Sequence, residues 1–314
     1  MAFQTSNGDL ELVKLDFAGQ TLWSFDQPGR FGNPALSPNG RFVAFEFIDK
    51  ADETLVWLHD LDRGARTQVS LRRFHADSAA WTADGEWVYF DANPSRKWLV
   101  YRNSVHGGGE PELVGDPTGV VPGGVVETAV DDCSADGRWL LAHSHLVDGS
   151  WDIYLLPLDT DLPFAEREWV SWANSPADER EGAFSPDSEW IAYMSNASGA
   201  NEIYVSPLSG GATANRWQIS TNGGSQPRWS PDGTQLYYLA SNDVLHAVSI
   251  AIRGKSVEAG ALVPLFEIPP PPLSYIRNAY DVLPDGTGFM VTRALERVAA
   301  GVTVRVGWRG ATQP

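Results

Sequence analysis

The sequence predicts an all-β chain, a six-bladed β-propeller of four-stranded antiparallel blades whose last blade is completed by the N-terminal strands. Three observations carry this expectation. One strand-turn-strand unit recurs six times, a second hairpin follows five of those units in order, and the sixth such hairpin stands at the N-terminus, ahead of any first unit.

The recurring unit reads LSPNGRFVAF from Leu36, WTADGEWVYF from Trp81, CSADGRWLLA from Cys133, FSPDSEWIAY from Phe184, WSPDGTQLYY from Trp229 and VLPDGTGFMV from Val282. Its glycine position holds Gly40, Gly85, Gly137, Ser188, Gly233 and Gly286, which recur every ~45 to 53 residues, the length of one blade. Pro presets φ at the second turn residue, Asp or Asn suits the third, and Gly takes the left-handed position that closes a hairpin. Ser188 breaks that rule at a strain of roughly 1 to 2 kcal/mol, so Ser188→Gly is expected to stabilise. The Asp-like positions Asn39, Asp84, Asp136, Asp187, Asp232 and Asp285 are explained by the turn alone rather than by a carboxylate ring.

The strand after each turn is apolar on both faces (FVAF, WVYF, WLLA, WIAY), as expected of blades sandwiched between neighbours. Leu36, Trp81, Cys133, Phe184, Trp229 and Val282 form one column, so the single cysteine reads as packing rather than as a reactive thiol. The second hairpins begin at Thr54, Trp98, Trp151, Ile203 and Leu245, and the displaced sixth is LELVKLDFAGQTLWSF from Leu10. Pairing Leu10 to Phe25 with the blade begun near Val282 closes the ring and removes its free edges. The expected domain is therefore 1–314, with blade units near 32–70, 75–115, 124–171, 178–220, 225–266, and 275–308 plus 8–25. VTVRVGW from Val302 is then surplus, either a fifth edge strand or a substitute for the Leu10 strand.

Composition narrows the function classes. The 314 residues include 13 Trp, so aromatic packing must supply much of the burial. A formal charge of −17 repels nucleic acid and anionic lipid and favours cations or basic partners. MAFQTSNGDL has no basic start followed by an apolar core, and no apolar stretch of about 18 residues occurs, so no direct membrane insertion is expected and the chain reads as soluble as written. A monomer is expected.

These repeats resemble the TolB-like, WD-repeat-like β-propeller family over nearly the whole chain. The segment from Asn201 to Leu239, the proline run before Leu273 and VTVRVGW are most similar to propellers found alone or after bacterial serine/threonine kinase domains. The kinase itself is absent, for there is no Gly-rich phosphate loop, no HRD-like loop and no DFG triplet. The resemblance implies a bacterial, periplasmic or extracellular interaction domain that binds a protein or peptide, and it transfers no catalytic motif. A peptidase is not expected from this chain, since G-x-S-x-G is missing.

Segments leading into each inner strand border the channel of a propeller, which marks His75, Glu127, Asp178, Glu179, Glu181, Gln226, Arg228, Arg277 and Asn278 as candidate ligand-binding residues. Acidic groups predominate there, suiting a basic peptide or a small polar or cationic ligand. Solvated channel residues with bound water would look the same. For a metal the candidate ligands are His143 and His145, on one face of an extended strand, with Asp131 or Asp132 from across. They form no motif, so no cofactor is expected, although a channel of this kind admits calcium or another divalent cation. The expected function is a non-enzymatic binding, sensor or scaffold domain. The alternative is a metal-dependent, lactonase-like hydrolase or lyase with its site at the channel mouth.

Overall fold

The computed structural model describes residues 10–25, 29–49, 51–72, 74–106, 109–117, 124–212, 215–269 and 278–294. Two N-terminal strands, β1 (Leu10–Asp16) and β2 (Thr21–Ser24), come first. Blade 1 follows with β3 (Phe31–Leu36), β4 (Phe42–Ile48), β5 (Thr54–Asp60) and β6 (Arg66–Gln68). Blade 2 holds β7 (Ala76–Trp81), β8 (Trp87–Ala92), β9 (Leu99–Ser104) and β10 (Glu112–Gly115). Blade 3 holds β11 (Val125–Cys133), β12 (Trp139–Leu146), β13 (Trp151–Pro157) and β14 (Val170–Ala173). Blade 4 holds β15 (Glu179–Phe184), β16 (Trp190–Ser195), β17 (Glu202–Pro207) and β18 (Trp217–Gln218). Blade 5 holds β19 (Ser225–Trp229), β20 (Gln235–Leu239), β21 (Val244–Arg253) and β22 (Ser256–Glu267), and blade 6 opens with β23 (Tyr280–Val282) and β24 (Gly288–Ala294).

Each blade is an antiparallel sheet of four strands, and the sixth runs β23-β24-β1-β2. There β1 pairs with β24 from Leu10 opposite Ala294 to Asp16 opposite Gly288, so the expected composite blade is formed by the N-terminal hairpin. The VTVRVGW segment lies outside the described residues. Each inner strand contacts the inner strands of both neighbours, and β23 contacts β3, which shuts the ring.

The double-faced apolar strands follow from this geometry. On β16, Ile191 and Tyr193 pack into the blade 3–4 interface, while Trp190, Ala192 and Met194 pack into the blade 4–5 interface. Each of the six blade interfaces holds its own apolar cluster, so the core is a ring of six wedges rather than one centre.

The turns are built as their residues dictate. Gly40, Gly85, Gly137, Gly233 and Gly286 have φ between 69° and 72°, and Ser188 has φ 60°. The hydroxyls of Ser37, Thr82, Ser134, Ser185 and Ser230 donate to the Asp-like side chain two residues on, at 2.5–2.8 Å. Those side chains accept the backbone N–H that opens the next strand, as Asp84 does from Glu86 and Asp232 from Thr234. Ser188 carries a further bond, since its Oγ accepts the N–H of Asp136 from blade 3 at 3.2 Å. Replacement by glycine therefore removes an interblade contact as well as strain, which revises the simple expectation of stabilisation.

Candidate functional site: a bowl on the propeller axis

The inner strands do not run smoothly along the axis. Asn33, Ser78, Glu181 and Gln226, each three residues before the apolar column, have φ between 44° and 57°. The ladder register shifts at each of these residues, and at Asn33, Glu181 and Gln226 the bulge lets the side chain bond the neighbouring blade. Gln226 donates its N–H to Glu181 Oε2 (2.8 Å) and its Oε1 accepts the N–H of Ala279 (2.7 Å), linking blades 4, 5 and 6. Asn33 Oδ1 accepts the N–H of Asn278 (2.8 Å), linking blade 6 to blade 1.

Blades 3 and 6 use a different latch. Directly before the apolar column stand Ala35, Ala80, Asp132, Ala183, Arg228 and Asp281. Asp132 accepts the N–H groups of Phe184 and Cys133, both at 2.8 Å, and Asp281 accepts those of Leu36 (2.7 Å) and Val282 (2.8 Å). Each carboxylate thus ties its own strand to the next blade. In a ring of six, blades 3 and 6 face each other, so the two carboxylates oppose one another across the channel.

Between them lies a cavity of about 350 Å³ lined by all six blades. Its wall carries the column from Leu36 to Val282, the polar groups Asp131, Asp132, Arg228, Asn278 and Asp281, and at the rim Pro38, Ala83, Ala135, Pro186 and Pro231. The rim residues belong to the turns after the inner strands, so the bowl occupies the turn end of the channel. Trp81 and Trp229 donate their indole N–H groups to the carbonyls of Ala35 (3.0 Å) and Ala183 (3.2 Å) in the preceding blade, which leaves their apolar ring surface on the wall.

Charge on this wall is partly balanced. The Asp131 carboxylate meets His143 Nδ1 at 2.8 Å, both side chains being buried. Burial pulls the imidazole down, but Asp131, through charge and hydrogen bond, outweighs it and His143 is raised overall. Arg228 Nε lies 3.8 Å from Asp281 Oδ1, and Arg228 also donates to the carbonyl of Pro227 (2.9 Å). Burial raises Asp281 against the pull of Arg228. Burial also pushes Asp132 up to about 6, with Asp281 adding to the rise and Arg228 and the Phe184 N–H opposing it. Cys133 is held well above its ordinary value by burial and the adjoining carboxylates, which suits a packing role.

The structure brings Arg228, Asn278 and Asp131 together on the bowl. The other candidate residues take different places. Glu181 and Gln226 form the interblade chain above. Glu179 is buried and accepts the N–H (3.1 Å) and hydroxyl of Ser175. Asp178 and Asn196 bond each other twice at 2.9 Å, locking a turn. His75 is exposed beside Thr54, Glu127 is half-buried at the start of β11, and Arg277 lies outside the described residues. His145 stacks on Trp151 at 4.5 Å while His143 faces Asp131. Among the described residues no three potential metal-ligating side chains are grouped. Asp281 escaped the sequence reading, although the signal was present: an aspartate stands directly before the apolar column in blades 3 and 6 and in no other blade.

A closed six-bladed propeller with a ligand-sized bowl on its axis is the class that fold and site define. The described residues contain no helix long and apolar enough to cross a membrane. No family model matches the sequence. No curated protein matches it either. Solved structures do. A protein described as TolB from Agrobacterium tumefaciens aligns with a TM-score of 0.66 and 17% identity, over 93% of this chain and 99% of its own. TolB from Acinetobacter baumannii aligns with a TM-score of 0.57 and 16% identity, over 81% of this chain and 65% of its own. An oligogalacturonate lyase solved in complex with manganese aligns with a TM-score of 0.53 and 12% identity, over 80% and 66%. At such identities the likeness establishes the fold, which is that of a TolB-like six-bladed propeller.

Proposed function

We propose that the chain is a non-enzymatic binding module, one domain spanning 1–314, that receives a group from a protein, a peptide or a small ligand in its axial bowl. The observation that carries this reading is the commitment of the bowl's opposed carboxylates to backbone N–H groups. Asp132 and Asp281 each accept one N–H across a blade seam and one from their own strand, which holds the wall in place and supports a cavity that is already formed, as small-ligand sites generally are. Both carboxylates serve as blade latches, and each Asp132 oxygen keeps one acceptor position for a bound group. The TolB-like resemblance supports a protein or peptide partner and a periplasmic or extracellular setting.

The test is a fragment screen on the purified chain, read by crystallography or NMR, together with assays on lactones, glycosides and peptides. Hits confined to the bowl and lost in Ala83→Trp, a rim substitution at an exposed turn residue, are expected. Turnover of any of these substrates would overturn the reading in favour of a hydrolase or lyase.

A further inference from the structure

Resting on that reading, we propose that the bowl is a receptor for one organic ammonium group carried on an apolar body, with Asp132 and Asn278 accepting its N–H donors. The first ground is the balance of charge on the wall. The wall carries three carboxylates, Asp131, Asp132 and Asp281, against two basic groups, His143 beside Asp131 and Arg228, which lies 3.8 Å from Asp281 and acts on Asp132 from beyond ion-pair distance. An excess of one carboxylate over the basic groups, in a concave and partly buried site, calls for one positive charge.

The second ground is hydrogen-bonding capacity. Asn278 Oδ1, from blade 6 on the side of the bowl facing Asp132, is buried and has no hydrogen-bond partner among the described residues. Each Asp132 oxygen accepts one backbone N–H and keeps a further acceptor site. An ammonium, with its three donors, suits such a set. A calcium ion wants about six to eight oxygens, which these residues do not supply. The third ground is the rest of the wall. Leu36, Trp81, Phe184, Trp229 and Val282 are apolar, and both indole N–H groups are already donated to carbonyls. They line much of a bowl of about 350 Å³ in all. A small hydrated inorganic cation gains nothing from such walls, whereas an alkyl or aryl ammonium buries its stem against them.

The ammonium can be a lysine side chain, a peptide amino terminus or a free amine, and matched probes separate these sources. Calorimetric titration of the whole chain would compare Nα-acetyl-lysinamide with Nα-acetyl-norleucinamide, phenylalaninamide with Nα-acetyl-phenylalaninamide, and n-pentylammonium with 1-pentanol. NMR would locate each bound probe. In at least one pair the charged member is expected to bind tenfold or more tightly, in the bowl, and that pair names the source. Asp132→Ala is expected to abolish the preference. Since this residue also latches blade 4, the wild-type pairs decide the matter without it. Equal affinity of charged and neutral probes within the bowl would overturn ammonium recognition while leaving a binding module. Displacement of n-pentylammonium by stoichiometric calcium or manganese would overturn it in favour of a metal site. Absence of every probe from the bowl would overturn both this inference and the reading beneath it.

Discussion

At the scale of single residues, aspartates of similar sequence context do opposite electrostatic work. In the turns, Asp84 and Asp232 accept hydrogen bonds from Thr82 and Ser230, and these bonds hold the carboxyls below the usual range. Their contribution to stability is present above the unfolded carboxyl value, near 4, and is lost as pH falls through the lower folded value. In the bowl, burial raises Asp132 to about 6, so its contribution is full below the unfolded value and is lost as pH rises through about 6. Carboxyl chemical shifts followed across pH should show Asp132 titrating last among these three as alkali is added. Coincident titration would contradict the assignment. The His143 and Asp131 pair acts with the same sign as Asp132, at higher pH. Its contribution is present below the unfolded histidine value, about 6.5, and disappears as pH rises through the raised folded value. His143→Gln should flatten that part of the stability profile, as read by chemical denaturation at a series of pH values. Ser188 shows two effects in competition. Its left-handed backbone costs roughly 1 kcal/mol, and its bond to the Asp136 N–H returns a similar amount. Ser188→Ala keeps the strain and loses the bond, so it should cost about 1 to 2 kcal/mol, and Ser188→Gly should fall between Ala and wild type. A glycine variant less stable than the alanine variant would remove strain from the account.

At the scale of elements, the decisive one is the N-terminal hairpin. Leu12, Val13 and Leu15 of β1 are buried in the interfaces on both sides of blade 6, so the hairpin is part of two wedges of core. Deleting Leu10 to Phe25 should abolish the cooperative transition in circular dichroism, and a trimmed chain that melts like the intact one would show closure by another segment. A milder test is Gly288, where an added Cβ would fall 2.0 Å from the Leu15 carbonyl oxygen. Gly288→Ala must push β1 away from β24 and should cost ~2 kcal/mol or more, lowering the melting temperature, while Gly137→Ala meets no neighbouring atom and pays only for its positive φ. The pairing itself was readable from the sequence, because counting hairpins leaves one unit without a mate and one mate without a unit. The interblade latches were not. Glu181 and Gln226 resemble channel residues in sequence, and only the left-handed bulges direct them to the neighbouring blade.

At the scale of the whole molecule, features recur three blades apart. Trp81 and Trp229 bond the preceding blade alike, Asp132 and Asp281 latch the following blade alike, and Ser70 and Ser220 cap Val56 and Ile203 alike. The propeller is two similar halves, and the bowl inherits their approximate twofold arrangement. Arg228 breaks it, standing where the other half has Ala80 and lying nearer Asp281 than Asp132, so the two opposed carboxylates share a single arginine. The net charge of −17 acts over the same scale. Retention on heparin or DNA columns at physiological salt is expected to be negligible, and firm retention would reveal a basic face that the total charge conceals.

The sequence by itself determined the ring: its six units, their turns and the composite blade. These depend on local chemistry, on Ser, Pro, Asp and Gly at fixed offsets and on apolar strands with two buried faces, all of which a linear chain displays. Only the tertiary structure decided the bowl. Which carboxylate is matched by a cation, which is tied to a backbone N–H and which faces its counterpart depends on residues such as Asp132, Arg228 and Asp281 that approach one another only when the ring closes. The bulges that aim Glu181 and Gln226 away from the axis are likewise backbone events with no residue signature of their own.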